Sequence, residues 1–418
     1  MTERLLQFIW QFQYFNHKEL LTVGEDQLQI ISPGQYNSNQ GPDFTNAKIK
    51  LGSTLWAGTV ELHLKTSDWQ KHRHQMDINY ENVILHVVWE HDISVNTLPV
   101  LELKNRVSKI LLSRYEELMR ATTFIPCENN IRNIPNIIMM GWKERLLAER
   151  LMRKATIVET HLSQNNFHWE ETFWWMLARN FGMKVNADSF EAIARSIPLA
   201  LLTKQKQQIH RLEALLLGQG GLLENNFNGD YPQLLKREYR FLQKKHGLKP
   251  VALPLHFLRM RPGNFPTVRL AQLAMLIQQS AHLFSKIKEA ESVITVRKWF
   301  DVTANDYWHY HYRLDEPTSF RKKKIGEDMI ENIIINTVVP VLFAYGNYHK
   351  EESYKIKALQ WLEETSPELN GITKGFAAIG IDNKSAYDSQ GLIELKTNYC
   401  DRRMCLNCAV GNWILKIT

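Results

Sequence analysis

The hydrophobic pattern of this chain changes period once, at residues 121–138 (ATTFIPCENNIRNIPNII), and that change constrains the fold more than any other feature. Before it, short apolar runs alternate with turn residues. After it, apolar residues recur at helical spacing almost without a break. The first part reads as a helix at 3–16 and strands near 28–32, 47–51 and 56–65. A short helix or ordered loop follows over 67–80, then strands at 82–90 and 98–104 and a helix at 108–120. Strand 82–90, NVILHVVWE, is almost wholly apolar and β-branched, which places it mid-sheet with both faces buried. The expected architecture is an α/β (α+β) domain with a mixed sheet at 1–120, a connector at 121–138 and a large all-α domain at 139–395. A C-terminal cysteine segment at 396–418 closes it. Helical periodicity is clearest at 141–164, 169–181, 199–217, 232–245 and 325–345.

The 418 residues, 44% hydrophobic, are enough for a sizeable core and for more than one domain. The longest apolar run, 333–345, is interrupted by Asn336 and Thr337 and falls short of the ~18 residues of a spanning helix. The opening MTERLLQFIWQFQYF carries Glu3 and glutamines inside its apolar pattern, which marks an amphipathic helix and not a signal peptide. A cytoplasmic protein with no membrane partner is expected, and nothing in the pattern fixes an oligomeric state. Lys+Arg exceed Asp+Glu by 51 to 44, a balance compatible with nucleic acid without requiring it.

Chemistry-bearing residues concentrate at 41–65, GPDFTNAKIKLGSTLWAGTVELHLK. Asp43 follows a Gly-Pro turn. Glu61, His63 and Lys65 are spaced two apart on a strand, so their side chains share one face. Carboxylates with an imidazole suit a divalent metal or acid–base work; the plainer reading is the solvated face of a half-buried strand. Downstream, His72 and His74 can share a metal if their segment is extended and diverge if it is helical. His86, alone in the apolar strand, reads as a satisfied core residue. In the helical part, Arg259, Arg261 and Arg269 gather around a helix start near Thr267, an arrangement suited to phosphate. The alternative is a proline-stiffened connector with solvated arginines. The run 321–324, RKKK, is a second basic patch.

Four cysteines occur: Cys127 alone, and Cys400, Cys405 and Cys408 within nine residues. In a reducing compartment this favours a metal centre over disulfides. Three clustered ligands plus one remote ligand suit [4Fe–4S], and zinc also takes four thiolates. Such a centre would clamp the exit of the first domain to the C-terminus.

The segments GPDF (41–44), AGTVELHLKTSDWQKHRH (57–74), NVILHVV (82–88), RMRPGNFPTVRLAQLA (259–274) and YCDRRMCLNC (399–408) resemble a bacterial family, domain of unknown function 2851. That resemblance spans nearly the whole chain and implies no activity. Residues 1–120 also resemble the PD-(D/E)XK nuclease superfamily. Pro42-Asp43 stands at its first acidic position, and Glu61-Leu62-His63 stands where Glu-x-Lys is found. Glu102-Leu103-Lys104 is a rival placement. The resemblance implies Mg²⁺ or Mn²⁺ on Asp43 and Glu61, a water oriented by His63 or Lys65, and DNA or another nucleic acid as substrate. It also implies a four-cysteine iron–sulfur staple, as some of these nucleases carry. A non-catalytic nucleic-acid-binding or scaffold protein, and a zinc-dependent hydrolase of a non-nucleic substrate, are the alternatives.

Overall fold

Helix α1 (Glu3–Phe12) starts where Thr2 caps it, the threonine hydroxyl accepting from the Leu5 N–H at 3.2 Å. It buries Leu5, Leu6, Phe8, Ile9 and Trp10 and stops at Gln13, which adopts a left-handed conformation. The computed structural model describes residues 1–94, 98–258, 260–280 and 282–416. The chain divides into two units: residues 1–142 together with 395–418, and residues 143–394.

The first unit is built on a mixed sheet of six strands, β1 (Leu28–Ser32), β2 (Gln35–Tyr36), β3 (Phe44–Leu51), β4 (Thr54–Lys65), β5 (Val83–Glu90) and β6 (Val100–Glu102). Their order is β1-β3-β4-β5-β6, with β2 also paired to β3. The pairs around β3 are antiparallel, and β4–β5 and β5–β6 are parallel. Six consecutive residues of β5, Val83–Val88, are buried, as expected of a central strand. Helix α1 rests against β4.

Two irregularities shape the middle of β4. Strand β3 bulges between Phe44 and Ala47, with Asn46 left-handed at φ 57°. The β4–β5 register shifts between Thr59 and Val60. Gly58 sits beside that shift, where a Cβ would lie 2.5 Å from the Asn82 carbonyl oxygen. The backbone can approach so closely only because no side chain is present.

The segment 67–80 is neither a continuous helix nor an extended strand. It is one turn, α2 (Asp68–Lys71), followed by two 3₁₀ turns at His74–Met76 and Ile78–Tyr80. Arg73, left-handed at φ 60°, reverses the chain between them. Helix α3 (Lys109–Arg120) begins at a Ser108 cap. The C-terminal residues fold onto this unit: Arg114 donates to the Ile414 carbonyl at 3.2 Å, and the Tyr14 hydroxyl donates to Asn412 at 2.7 Å.

Helix α4 (Asn136–Gln164) leads into the second unit, which is helical apart from a two-stranded ribbon (His311–Arg313 and Glu316–Pro317). Its core draws on α4, α5 (Trp169–Phe181), α6 (Met183–Ser196) and most of the later helices. The run 327–349 is longer than its apolar stretch implies. Glu327–Ile333 continues through a π-helical turn, Ile334–Val338, into Val339–His349. By length and composition this helix is sufficient to cross a membrane, and 78% of its apolar window is buried inside the protein.

Glu213 is fully buried in the helical core, accepting from Tyr231 and Trp308 at 2.9 Å each. Its other carboxyl oxygen has no partner, and burial pushes its pKa up to about 7. A carboxyl raised in the folded state contributes stability below its unfolded pKa of about 4.3, and that contribution is lost as pH rises through 7. Glu213→Gln is therefore expected to raise the melting temperature at pH 8 and leave it nearly unchanged at pH 5. An equal difference at both pH values in thermal denaturation would contradict this.

Candidate metal centres and phosphate-binding residues

The acidic residues meet through the main chain. The Asp43 N–H donates to Glu61 Oε2 at 3.0 Å, and the Leu62 N–H donates to Asp43 Oδ2 at 3.2 Å. Gln7 on α1 donates to the other Asp43 oxygen at 2.8 Å. Both oxygens of Asp43 are thus engaged, and its backbone holds one oxygen of Glu61. The remaining Glu61 oxygen, Oε1, faces histidines: it lies 3.5 Å from His63 Nε2 and 3.6 Å from His74 Nε2.

His63 is the hub of four imidazoles. Its Nδ1 is 2.9 Å from His86 Nε2, and its Nε2 is 3.2 Å from His72 Nδ1. One ring nitrogen from each of His63, His72 and His74 lies within 4.8 Å of the others. Left-handed Arg73 swings His72 and His74 onto one point, a local geometry that neither the extended nor the helical expectation contained. Trp69 packs edge-on to His63 and His74, and the Tyr80 ring stacks on His74 at 3.8 Å. His86 therefore belongs to the cluster and is not an isolated core residue.

The electrostatics are those of a site short of positive charge. Burial, with Asp43 close by, pushes Glu61 up to about 8, and burial pushes Asp43 up to about 6. Burial and the neighbouring rings hold His63 down to about 2 and His86 to about 4, so both imidazoles are neutral at pH 7. The Nε2 of His74 is buried without a hydrogen-bond partner.

The donor set fits a divalent ion of borderline character. Two nitrogens each about 2.0–2.1 Å from one tetrahedral metal stand about 3.3 Å apart, and His63 and His72 are already 3.2 Å apart. Three imidazoles with one carboxylate favour Zn²⁺ or Mn²⁺ over Mg²⁺, which prefers oxygen ligands. Lys65 is exposed, and among the described residues no hydrogen bond or ion pair ties its ammonium to the cluster. At the rival position, Lys104 is committed to a surface ion pair with Glu90 at 2.7 Å.

The four cysteines also converge. Cys127 precedes a 3₁₀ helix, Glu128–Asn133; Cys400 ends a π-helical stretch, Leu395–Cys400; Cys405 opens a 3₁₀ turn, Cys405–Asn407. Cys408 stands just before the last helix, Ala409–Lys416. All four are buried free thiols and line one small apolar cavity with Pro126, Ile131 and Val410. Burial, then the neighbouring sulfurs, push Cys127 up to about 12. The Val410 and Gly411 N–H groups at the helix start point at the Cys408 sulfur. Gly411 is required there, since a Cβ would lie 2.1 Å from the Cys405 carbonyl oxygen. Four sulfurs in an apolar pocket, one of them met by main-chain donors, fit zinc or an iron–sulfur cluster.

Of the predicted phosphate-binding arginines, Arg259 lies outside the described residues. The helix starts at Pro266, and Arg261 and Arg269 both line a cavity of about 1250 Å³ in the helical unit. Arg261 is exposed, whereas Arg269 is buried and donates to Asn264 and Gln272 at 2.6 and 3.0 Å.

Anaerobically purified protein is expected to carry either a broad absorption band near ~400 nm or one equivalent of zinc at the cysteines. Cys127→Ser should remove that species and lower the melting temperature. Unchanged metal content in the variant would refute the four-thiol centre.

Comparison with curated proteins and with solved structures found no match. A family model described as "Protein of unknown function (DUF2851)" matches residues 3–371, and the chain belongs to that family.

Proposed function

We propose that this chain is a metal-dependent phosphodiesterase acting on nucleic acid, with Glu61, His63, His72 and His74 as metal ligands. The observation that carries the reading is the convergence of Glu61 Oε1, His63 Nε2, His72 Nδ1 and His74 Nε2 on one region beside a second carboxylate, with no lysine or arginine ion-paired to either acid among the described residues. Burying two acids without a cation is costly, and a bound divalent ion offsets it. The order of elements supports a nuclease: a helix, a hairpin with Asp43 at the head of β3 and Glu61-x-His63 on β4, then a parallel return through β5. A divalent ion here would lower the pKa of a bound water and offset charge on a scissile phosphate.

The chain's own residues supply positioning. Asp43 fixes the rotamer of Glu61 through its N–H, and Gln7 and Leu62 hold Asp43. His86 sets the His63 tautomer: with the Nδ1–H of His63 donating to His86, the Nε2 lone pair faces the site. Trp69 and Tyr80 pack against the His63 and His74 rings, and His72 stays exposed at the mouth of the cluster. His63, standing where the resembling nucleases carry lysine, acts here as a ligand and leaves the water to be oriented by Glu61 or Asp43. The cysteine centre is a structural staple in this reading, suited to a reducing cytoplasm.

The three imidazoles also favour a second reading, a zinc hydrolase of a non-nucleic ester. Labelled single- and double-stranded DNA and RNA, incubated with Mn²⁺ or Zn²⁺, distinguish the two. Cleavage is expected and should fall at least 100-fold in Glu61→Gln and in His63→Ala. His86→Ala should weaken metal binding ~10–100-fold in chelator competition, as loss of an outer partner does. Absence of cleavage with every metal, or cleavage unchanged in both ligand variants, would sink the nuclease assignment. Turnover of a carboxylic ester alone would select the second reading.

A further inference from the structure

The cavity of about 1250 Å³ in the helical unit is lined by nine lysine and arginine side chains against a single acid, Asp328. Two of the nine are matched by carboxylates: Arg179 by Asp188 and Glu191, and Lys324 by Asp301. The other seven make no ion pair among the described residues. Arg269, 7% exposed, reaches only the neutral Asn264 and Gln272 with its Nη atoms, and its buried Nε–H has no partner. Lys323, 4% exposed, donates to the main-chain carbonyls of His309 and Arg321 and lies against Tyr312, with no carboxylate beside it among the described residues. Lys154 donates to Asn336 and Gln390 at 2.9 and 3.1 Å. Asn336 sits in the π-helical turn of the 327–349 helix, a widening of the kind that recurs at functional sites.

Buried guanidinium and ammonium groups without carboxylates are costly, and an anionic ligand offsets that cost. The volume exceeds the roughly 300–1,000 Å³ of small-molecule pockets, which favours a chain-like ligand. Exposed cations (Lys184, Arg261, Lys322) stand at the rim, and exposed apolar side chains (Ile157, Met183) lie beside them. We infer that this cavity binds a single nucleic-acid strand, its phosphates on the deep and rim cations and its bases or sugars on the apolar wall. The inference rests on the nucleic-acid half of the proposed function, but it is a separate site in the helical unit and needs no hydrolysis.

The test uses the full chain carrying Glu61→Gln, in EDTA, so that turnover plays no part. A fluorescent oligothymidylate is titrated by anisotropy at 50 and 200 mM NaCl. Binding is expected to weaken at least tenfold in the triple variant Lys184→Gln, Arg261→Gln, Lys322→Gln. The log–log salt slope should shrink by about 0.7 for each phosphate contact removed. All three positions are exposed, so folding is preserved, and Lys48→Gln with Lys50→Gln, exposed on β3, should leave binding unchanged. Deep in the cavity, Arg269→Lys should retain more affinity than Arg269→Gln. Failure to bind at 50 mM NaCl, or equal affinity in the triple variant, overturns the inference. Complete displacement of the oligonucleotide by equimolar tripolyphosphate does so too, since it would mark a compact phosphate pocket. A failed cleavage assay with these binding results intact would remove the catalytic proposal and leave this one standing.

Discussion

Strands β4 and β5 run parallel with Glu61 opposite His86 and His63 opposite Val88. A slip of one residue in that pairing would turn Glu61 and His63 to the other face and His86 away from both. The register is pinned on each side: by the buried run Val83–Val88 of β5, and by Gly58, which lets the Asn82 carbonyl close on β4. The Asp43–Glu61–Leu62 main-chain clasp, the His63–His86 contact and the seat for His72 and His74 all follow from this one alignment.

Much of this was legible in the residues. The strand–helix division, the central apolar strand and the pairing of Asp43 with Glu61 follow from alternation, β-branching and a Gly-Pro turn. Other features were not legible, for identifiable reasons. The convergence of His72 and His74 depends on a left-handed arginine, and arginine gives no signal for that conformation. His86 looked solitary because its partner is 23 residues away, on the neighbouring strand. The basic cavity joins Arg261, Arg269 and the 321–324 run, each visible as a local basic signal, with Lys154, Arg179 and Lys184 from distant helices that carry no such signal. Arg269 was singled out for its place at a helix start, but its burial among apolar neighbours was not legible.

Three clusters gather chemistry-bearing side chains. The sheet end gathers two carboxylates and four imidazoles, with no lysine or arginine ion-paired to either acid among the described residues. The C-terminal pocket gathers four buried thiols. The helical cavity gathers ammonium and guanidinium groups with too few anions. For the first and the third, burying like charges without an opposite one is unfavourable. In the readings proposed above, a divalent ion, a metal or cluster, and a phosphate chain would complete them.

The division of the chain carries a consequence for synthesis. The sheet-bearing unit ends at Trp142 and resumes at Leu395, and Trp142 meets Tyr399 at 5.2 Å between ring centroids. Residues 143–394 are thus an insertion whose two ends return to neighbouring points. On the ribosome, at about 5–20 residues per second, Cys127 emerges on the order of tens of seconds before Cys400. During that interval the sheet lacks its last helix and Cys127 lacks the other three sulfurs, while the helical insertion can complete its own core. The unit begun first must wait for residues 395–416, and its four thiols can meet only once Cys408 has been made.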